Sequence, residues 1–167
     1  LDLGLGKAFE QTRPGCLQEA GRKLVQQVAD LVRHLDIQRG FVGIAFRLQP
    51  DFKTYDAFYL RPTNGRADDQ ERRNHSAQYI SHPDWTWDRL RRETPSRYES
   101  YVDLAPGAWT HVRIEVTGST ARLYVAHAEQ PCLIVNDLKH GASRGRIALW
   151  ARISSDAYFA NLRVDPT

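Results

Sequence analysis

The sequence predicts an all-β fold in which two antiparallel sheets pack as a sandwich, and three features carry that expectation. His111–Val116 and Ala121–Val125 alternate polar and apolar residues, the period of strands buried on one face. Thr117-Gly118-Ser119-Thr120 joins them with turn chemistry, so the two read as a hairpin. Further short apolar segments follow between Gly, Ser, Asn and Asp, with no alternation of helix and strand, which is the pattern of a sandwich.

Taken from the N-terminus, Leu1-Asp2-Leu3-Gly4-Leu5-Gly6 reads as a short edge strand. Leu17, Ala20, Leu24, Val25, Val28, Leu31, Val32 and Leu35 then recur at three- and four-residue spacing between polar residues. That period predicts an added amphipathic helix over 17–36, packed on the sandwich or used against another chain. Gly40–Leu48 reads as an apolar strand with small residues at close-packing points, and Tyr55–Leu60 as its antiparallel partner across Gln49–Lys53. From Arg61 to Ser100 prolines, arginines, acids and aromatics mix without a period. This predicts a long elaborated connection with one helical turn near Trp87–Glu93, and connections of that length usually carry function or move. Strands are expected again at Pro131–Val135, Gly145–Ala151 and Tyr158–Val164.

Length and composition narrow the classes. A chain of 167 residues suits one well-buried core, so one domain over 1–167 is expected. The 23 basic and 20 acidic residues are too balanced for the basic stripe of a nucleic-acid binder. No apolar run approaches the roughly 18–20 residues that cross a bilayer as a helix. The chain starts at Leu1 and holds no methionine, so residues upstream are expected, a signal peptide among the candidates, and a secreted or periplasmic setting is favoured. Cys16 and Cys132 read as two unpaired thiols, Cys132 in a buried strand, with a disulfide as the other reading.

Gly40–Arg47, Ala57–Pro62, Pro106–Arg113, Ala121–Val125, Gly145–Trp150 and Tyr158–Val164 together resemble the concanavalin A-like lectin/glucanase group. That group includes laminin-G-like modules and 3-keto-disaccharide hydrolase domains. The resemblance implies a jelly-roll sandwich, a fold that hosts both binding and catalysis. It spans Gly40 to Val164 and leaves out the N-terminal part, where such domains open with strands. The Glu-x-Asp-x-x-Glu cluster of the jelly-roll glucanases is missing. Tyr98-Glu99-Ser100-Tyr101-Val102-Asp103 comes nearest, with the wrong spacing.

Candidate site residues gather in the long connection. Asn74, Gln78, Tyr79, Trp85 and Trp87 lie close together there with His75 and His82. Indole faces stack on sugar C–H faces, and planar amides and guanidiniums bind hydroxyls. Trp85 and Trp87 would point the same way on an extended segment. The competing reading has these rings packing the connection onto the sandwich. Arg61, ending a strand beside this region, is the favoured guanidinium. Arg89, Arg91 and Arg92 flank the region, with Asp88 and Glu99 as partners. Asp137, in Asn136-Asp137-Leu138-Lys139, is either a turn residue or part of a polar site at a sheet end. No catalytic pair is legible; Glu99 and Asp137 are the carboxylates to inspect first. His75 and His82 lack the further ligands that zinc needs, so no metal site is assigned. No cofactor is assigned either, though Asp68, Asp69 and Glu71 leave calcium open. The leading expectation is a carbohydrate-binding domain that takes a glycan or small sugar. A glycoside-acting enzyme and a protein-interaction module are the alternatives, and oligomeric state is not legible.

Overall fold

The computed structural model describes residues 24–29, 40–152 and 155–166. Among the described residues ten strands form two five-stranded sheets, and every pairing is antiparallel. The first sheet uses β1 (Leu24–Ala29), β6 (Val112–Thr117), β7 (Thr120–Val125), β8 (Leu133–Val135) and β10 (Ala160–Pro166), in the order β10-β1-β6-β7-β8. The second uses β2 (Val42–Leu48), β3 (Tyr55–Leu60), β4 (Ala77–His82), β5 (Glu99–Ser100) and β9 (Arg146–Ala151), in the order β5-β4-β3-β2-β9. Three short helices, α1 (Pro62–Gly65), α2 (Gln70–Asn74) and α3 (Trp87–Glu93), lie in the connections around β4. Among the described residues no helix is long and apolar enough to cross a membrane.

The predicted hairpin is present: β6 and β7 pair from Val112↔Val125 to Thr117↔Thr120, turning at Gly118. Their alternation puts Ile114, Val116, Ala121, Leu123 and Val125 inside. These meet Val42, Ile44, Phe46, Phe58 and Leu60 from the second sheet in one continuous core. Strand β3 is buried along its whole length, because its other face is covered as well. There Ala45, Leu48, Tyr55, Ala57, Tyr59 and Ile80 form a second cluster with Phe41 and Trp150.

One sequence expectation needs correction, and another is described only in part. Within the helix expected over 17–36, Leu24–Ala29 is a strand held between β6 and β10. Pairing on both sides gives its backbone groups partners, and such tertiary pairing overrides a periodic pattern. The rest of that helix, the edge strand at 1–6 and Cys16 lie outside the described residues. The connection over 61–100 also contains β4, paired along its whole length with β3 and at Ala77 and Gln78 with β5. Its sequence Ala77-Gln78-Tyr79-Ile80-Ser81-His82 is buried on both faces and therefore shows no period of two. The helical turn expected near Trp87–Glu93 is α3.

A bulge in β2 binds the two sheets together. Its pairing with β9 slips between Ala45 and Leu48, and Arg47 adopts a φ of 57°. A bulge of this kind re-aims a side chain, and here the Arg47 guanidinium donates to the carbonyls of Gly118 and Gly141. It also faces the Asp56 carboxylate at 3.9 Å. Gly145 passes so close that an added Cβ would lie 2.3 Å from the Arg47 carbonyl carbon. Asp56 is fully buried and accepts from the Tyr79 hydroxyl at 2.6 Å. Burial pulls the Arg47 pKa down and the Asp56 charge pulls it back. Replacing Asp56 with Ala leaves a buried guanidinium facing no anion. The expected loss is about 3–5 kcal/mol, read in urea denaturation as a lower midpoint at unchanged slope.

Candidate functional site

The outer face of the second sheet carries one row of side chains across all five strands. Register places Trp150 (β9), Gly43 (β2), Tyr59 (β3), Gln78 (β4) and Glu99 (β5) side by side. Gly43 has no side chain, so the rings on either side of it meet: Tyr59 and Trp150 stack with centroids 5.1 Å apart and planes at 17°. A Cβ on Gly43 would fall 2.1 Å from the Phe58 carbonyl oxygen and 2.7 Å from the Tyr59 Cα. Phe41 extends the aromatic floor, 5.5 Å from Tyr59.

The other end of the row is polar. The Gln78 amide donates to the Tyr98 and Tyr79 carbonyls at 3.0 and 3.1 Å. The buried Glu99 carboxylate accepts from Arg91 Nη2 at 2.7 Å and Nε at 3.1 Å. His75 Nδ1 lies 2.7 Å from the same carboxylate oxygen. Arg91 stands one turn after Trp87 on α3, and the i,i+4 spacing puts both on one face. Its guanidinium lies over the indole, 5.0 Å from the centroid.

Above this row lies a basin of about 810 Å³, lined by Phe41, Tyr59, Arg61, Thr63, Arg72, Trp87, Arg91 and Arg152. Trp87 is the exposed aromatic of the set, at 46%. The guanidiniums of Arg61 and Arg152 lie 4.9 and 5.1 Å from the Phe41 ring centroid. Burial pushes the Tyr59 hydroxyl pKa well up, while Arg61, Arg91 and Arg152 draw it down.

The predicted site residues divide into two groups. Arg61 and Trp87 line the basin, and Gln78 and Glu99 lie in the row beneath it. The others are elsewhere. Tyr79 points into the core and is fully buried. Asn74 ends α2 with its side-chain oxygen taking a bond from Gln70 at 2.8 Å. Trp85 packs against the core between Arg89, 3.9 Å from its ring, and Lys139, 4.7 Å away. Arg89 also bonds Glu93 at 2.9 Å. Trp85 and Trp87 therefore do not point the same way: Trp85 is bonded to Ser81 through both backbone groups, and the chain then turns into α3. Asp137 belongs to a separate cluster, accepting from Tyr98 at 2.6 Å, from Lys139 at 2.9 Å and pairing with Arg97 at 3.1 Å. Burial pushes the Asp137 pKa up, but the Tyr98 and Lys139 bonds outweigh it and hold the carboxyl low. Phe41, Tyr59, Arg72 and Arg152 are not among the sequence candidates, and Arg91 is named there only as flanking the region. A signal for Arg91 existed, its one-turn spacing from Trp87 on the expected helical turn. Phe41 and Arg152 reach the basin only through tertiary contact.

Among the described residues no three His, Cys, Asp or Glu side chains come together as metal ligands. Asp69, one of the acids considered for calcium, instead caps α2 by accepting from the Arg72 amide at 2.7 Å. Cys132 is a free thiol packed against the core, and burial pushes its pKa to about 11.

No family model matches the chain, and no curated protein does. Among solved structures the chain is similar to the carbohydrate-binding module CBM66 from Bacillus subtilis. The TM-score is 0.56 and the identity 10%, over 89% of this chain and 84% of that one. At that identity the likeness shows a shared β-sandwich fold.

Two expectations follow. Gly43→Ala wedges a methyl between backbone and Tyr59, and should cost about 1–3 kcal/mol in chemical denaturation while quenching the Tyr59–Trp150 near-UV dichroism. Cys132, protonated at neutral pH, should resist iodoacetamide at pH 7.5 in the native protein and label quickly in urea, as read by peptide mass spectrometry.

Proposed function

We propose that this chain is a carbohydrate-binding domain of the jelly-roll, concanavalin A-like kind, with its ligand seated in the basin on the outer face of the second sheet. The observation that carries the reading is the composition of that basin. An exposed indole, Trp87, stands over an aromatic floor of Phe41 and Tyr59, and guanidiniums are held at its edge. Rings take the apolar faces of a sugar, and planar donors take its oxygens. The volume falls within the roughly 300–1,000 Å³ of small-ligand sites. The sandwich shared with a carbohydrate-binding module supports the reading from the side of the fold.

Binding is favoured over glycoside cleavage on chemical grounds. Cleavage by the common route needs two carboxylates facing each other across the sugar. The carboxylate beside the basin, Glu99, is buried and engaged by Arg91 and His75. A secreted or periplasmic setting, where glycans are met, goes with this proposal.

A glycan array probed with the purified chain and with Trp87→Ala tests it. The wild type is expected to bind a restricted set of saccharides. Trp87→Ala should weaken that binding at least about tenfold, equivalent to about 1.4 kcal/mol, at an unchanged melting temperature because Trp87 is half exposed. Equal binding by both proteins, or a folded wild type that binds no saccharide, overturns the reading.

A further inference from the structure

We infer that the saccharide held in the basin is acidic, carrying a carboxylate or sulfate that the arginine cluster recognises; this rests on the carbohydrate reading above and specifies its ligand. Four arginines, Arg61, Arg72, Arg91 and Arg152, line one basin, and no carboxylate is among its lining residues within the described part of the chain. The acid next to them, Glu99, accepts from Arg91 and lies against His75. The whole chain has a formal charge of only +3, so four arginines around one basin stand out against a nearly balanced composition.

Like charges gathered in one concavity repel, and low-dielectric walls strengthen the field they make. A neutral sugar needs a few donors but gains nothing from such a field. An anion relieves the repulsion, and the guanidinium fork matches the two oxygens of a carboxylate or sulfate. Two of the arginines also have a fixed neighbour. Arg91 is fixed by Glu99, and Arg152 is held against the Phe41 ring. The same walls argue against a bare inorganic anion, because Trp87 offers an exposed indole face that only a ligand with an apolar surface uses. Charge and ring together describe one ligand, an acidic sugar unit.

Calorimetry at physiological salt with matched pairs tests this. The probes are an oligogalacturonate against its methyl ester, a sulfated dextran oligosaccharide against the unsulfated one, and inorganic sulfate alone. The expected result is that at least one acidic member binds ten times or more tighter than its neutral partner. Which pair responds distinguishes carboxylate from sulfate. The double variant Arg72→Gln, Arg152→Gln should lower that preference at least tenfold while still melting as a folded protein. Arg92→Gln, on the exposed side of α3 and outside the basin, should leave the preference intact. Neutral members binding as tightly as acidic ones overturns the inference and leaves the carbohydrate reading standing. An equal loss of preference in Arg92→Gln overturns it too, since the attraction is then diffuse. Inorganic sulfate matching the oligosaccharides, with Trp87→Ala silent, removes the sugar and so both readings. No binding to any probe by the folded wild type also overturns both.

Discussion

Arg47 enters the sandwich through a bulge and holds the two sheets in fixed relation. Its guanidinium reaches the carbonyl of Gly118, at the turn of the opposing β6–β7 hairpin, and that of Gly141 in the connection before β9. Asp56 on the neighbouring strand faces it and passes the constraint through Tyr79 to the third strand. The Tyr79 oxygen in turn accepts from the Lys139 amide at 3.0 Å. Buried charge is costly unless paired and bonded, so this network tolerates little displacement. A one-residue slip of β2, β3 or β4 would turn Asp56 or Tyr79 to the opposite face and leave polar groups stranded in the core.

With that register held, the outer row follows from the pleat. Gly43 leaves an opening in the middle of the row, and the Tyr59–Trp150 stack closes it. The floor of the basin is therefore continuous with the packing of the sandwich. Its walls have a different origin: Trp87 and Arg91 come from α3, Arg72 from α2, and Arg152 from the residue just after β9. Glu99 joins the two, a strand residue that fixes a helix residue.

This division explains what could be read from the residues alone. Strands with one wet face, such as β6 and β7, keep a period of two and were legible almost to the residue. Strand β4 was hidden because both of its faces are covered, which removes the alternation. Leu24–Ala29 carries a helical spacing, yet its partners are β6 and β10, distant in sequence. Of the aromatic and planar polar residues in the connection around β4, Trp87 lines the basin and Gln78 and Glu99 lie in the row beside it. However, the chain turns between Trp85 and Trp87, and that turn sends one indole to the core and the other to the basin. Tyr79 and Asp137 belong to the network that supports the fold. Arg152 and Phe41 could be placed beside Arg61 only by knowing that β9 pairs with β2.

The separation of floor from walls also bears on how such a surface diversifies. The row from Trp150 to Glu99 is shared with the packing of the sheet, so nearly any change there is tested first for foldability. The wall residues are independent of one another in sequence, Trp87 and Arg91 on α3, Arg72 on α2 and Arg152 after β9. Exchanging Arg72, Trp87 or Arg152 alters the chemistry the basin presents at little expense to the scaffold. Descendants of this chain can therefore change that chemistry while keeping the same frame, and chains alike in frame need not be alike in this surface.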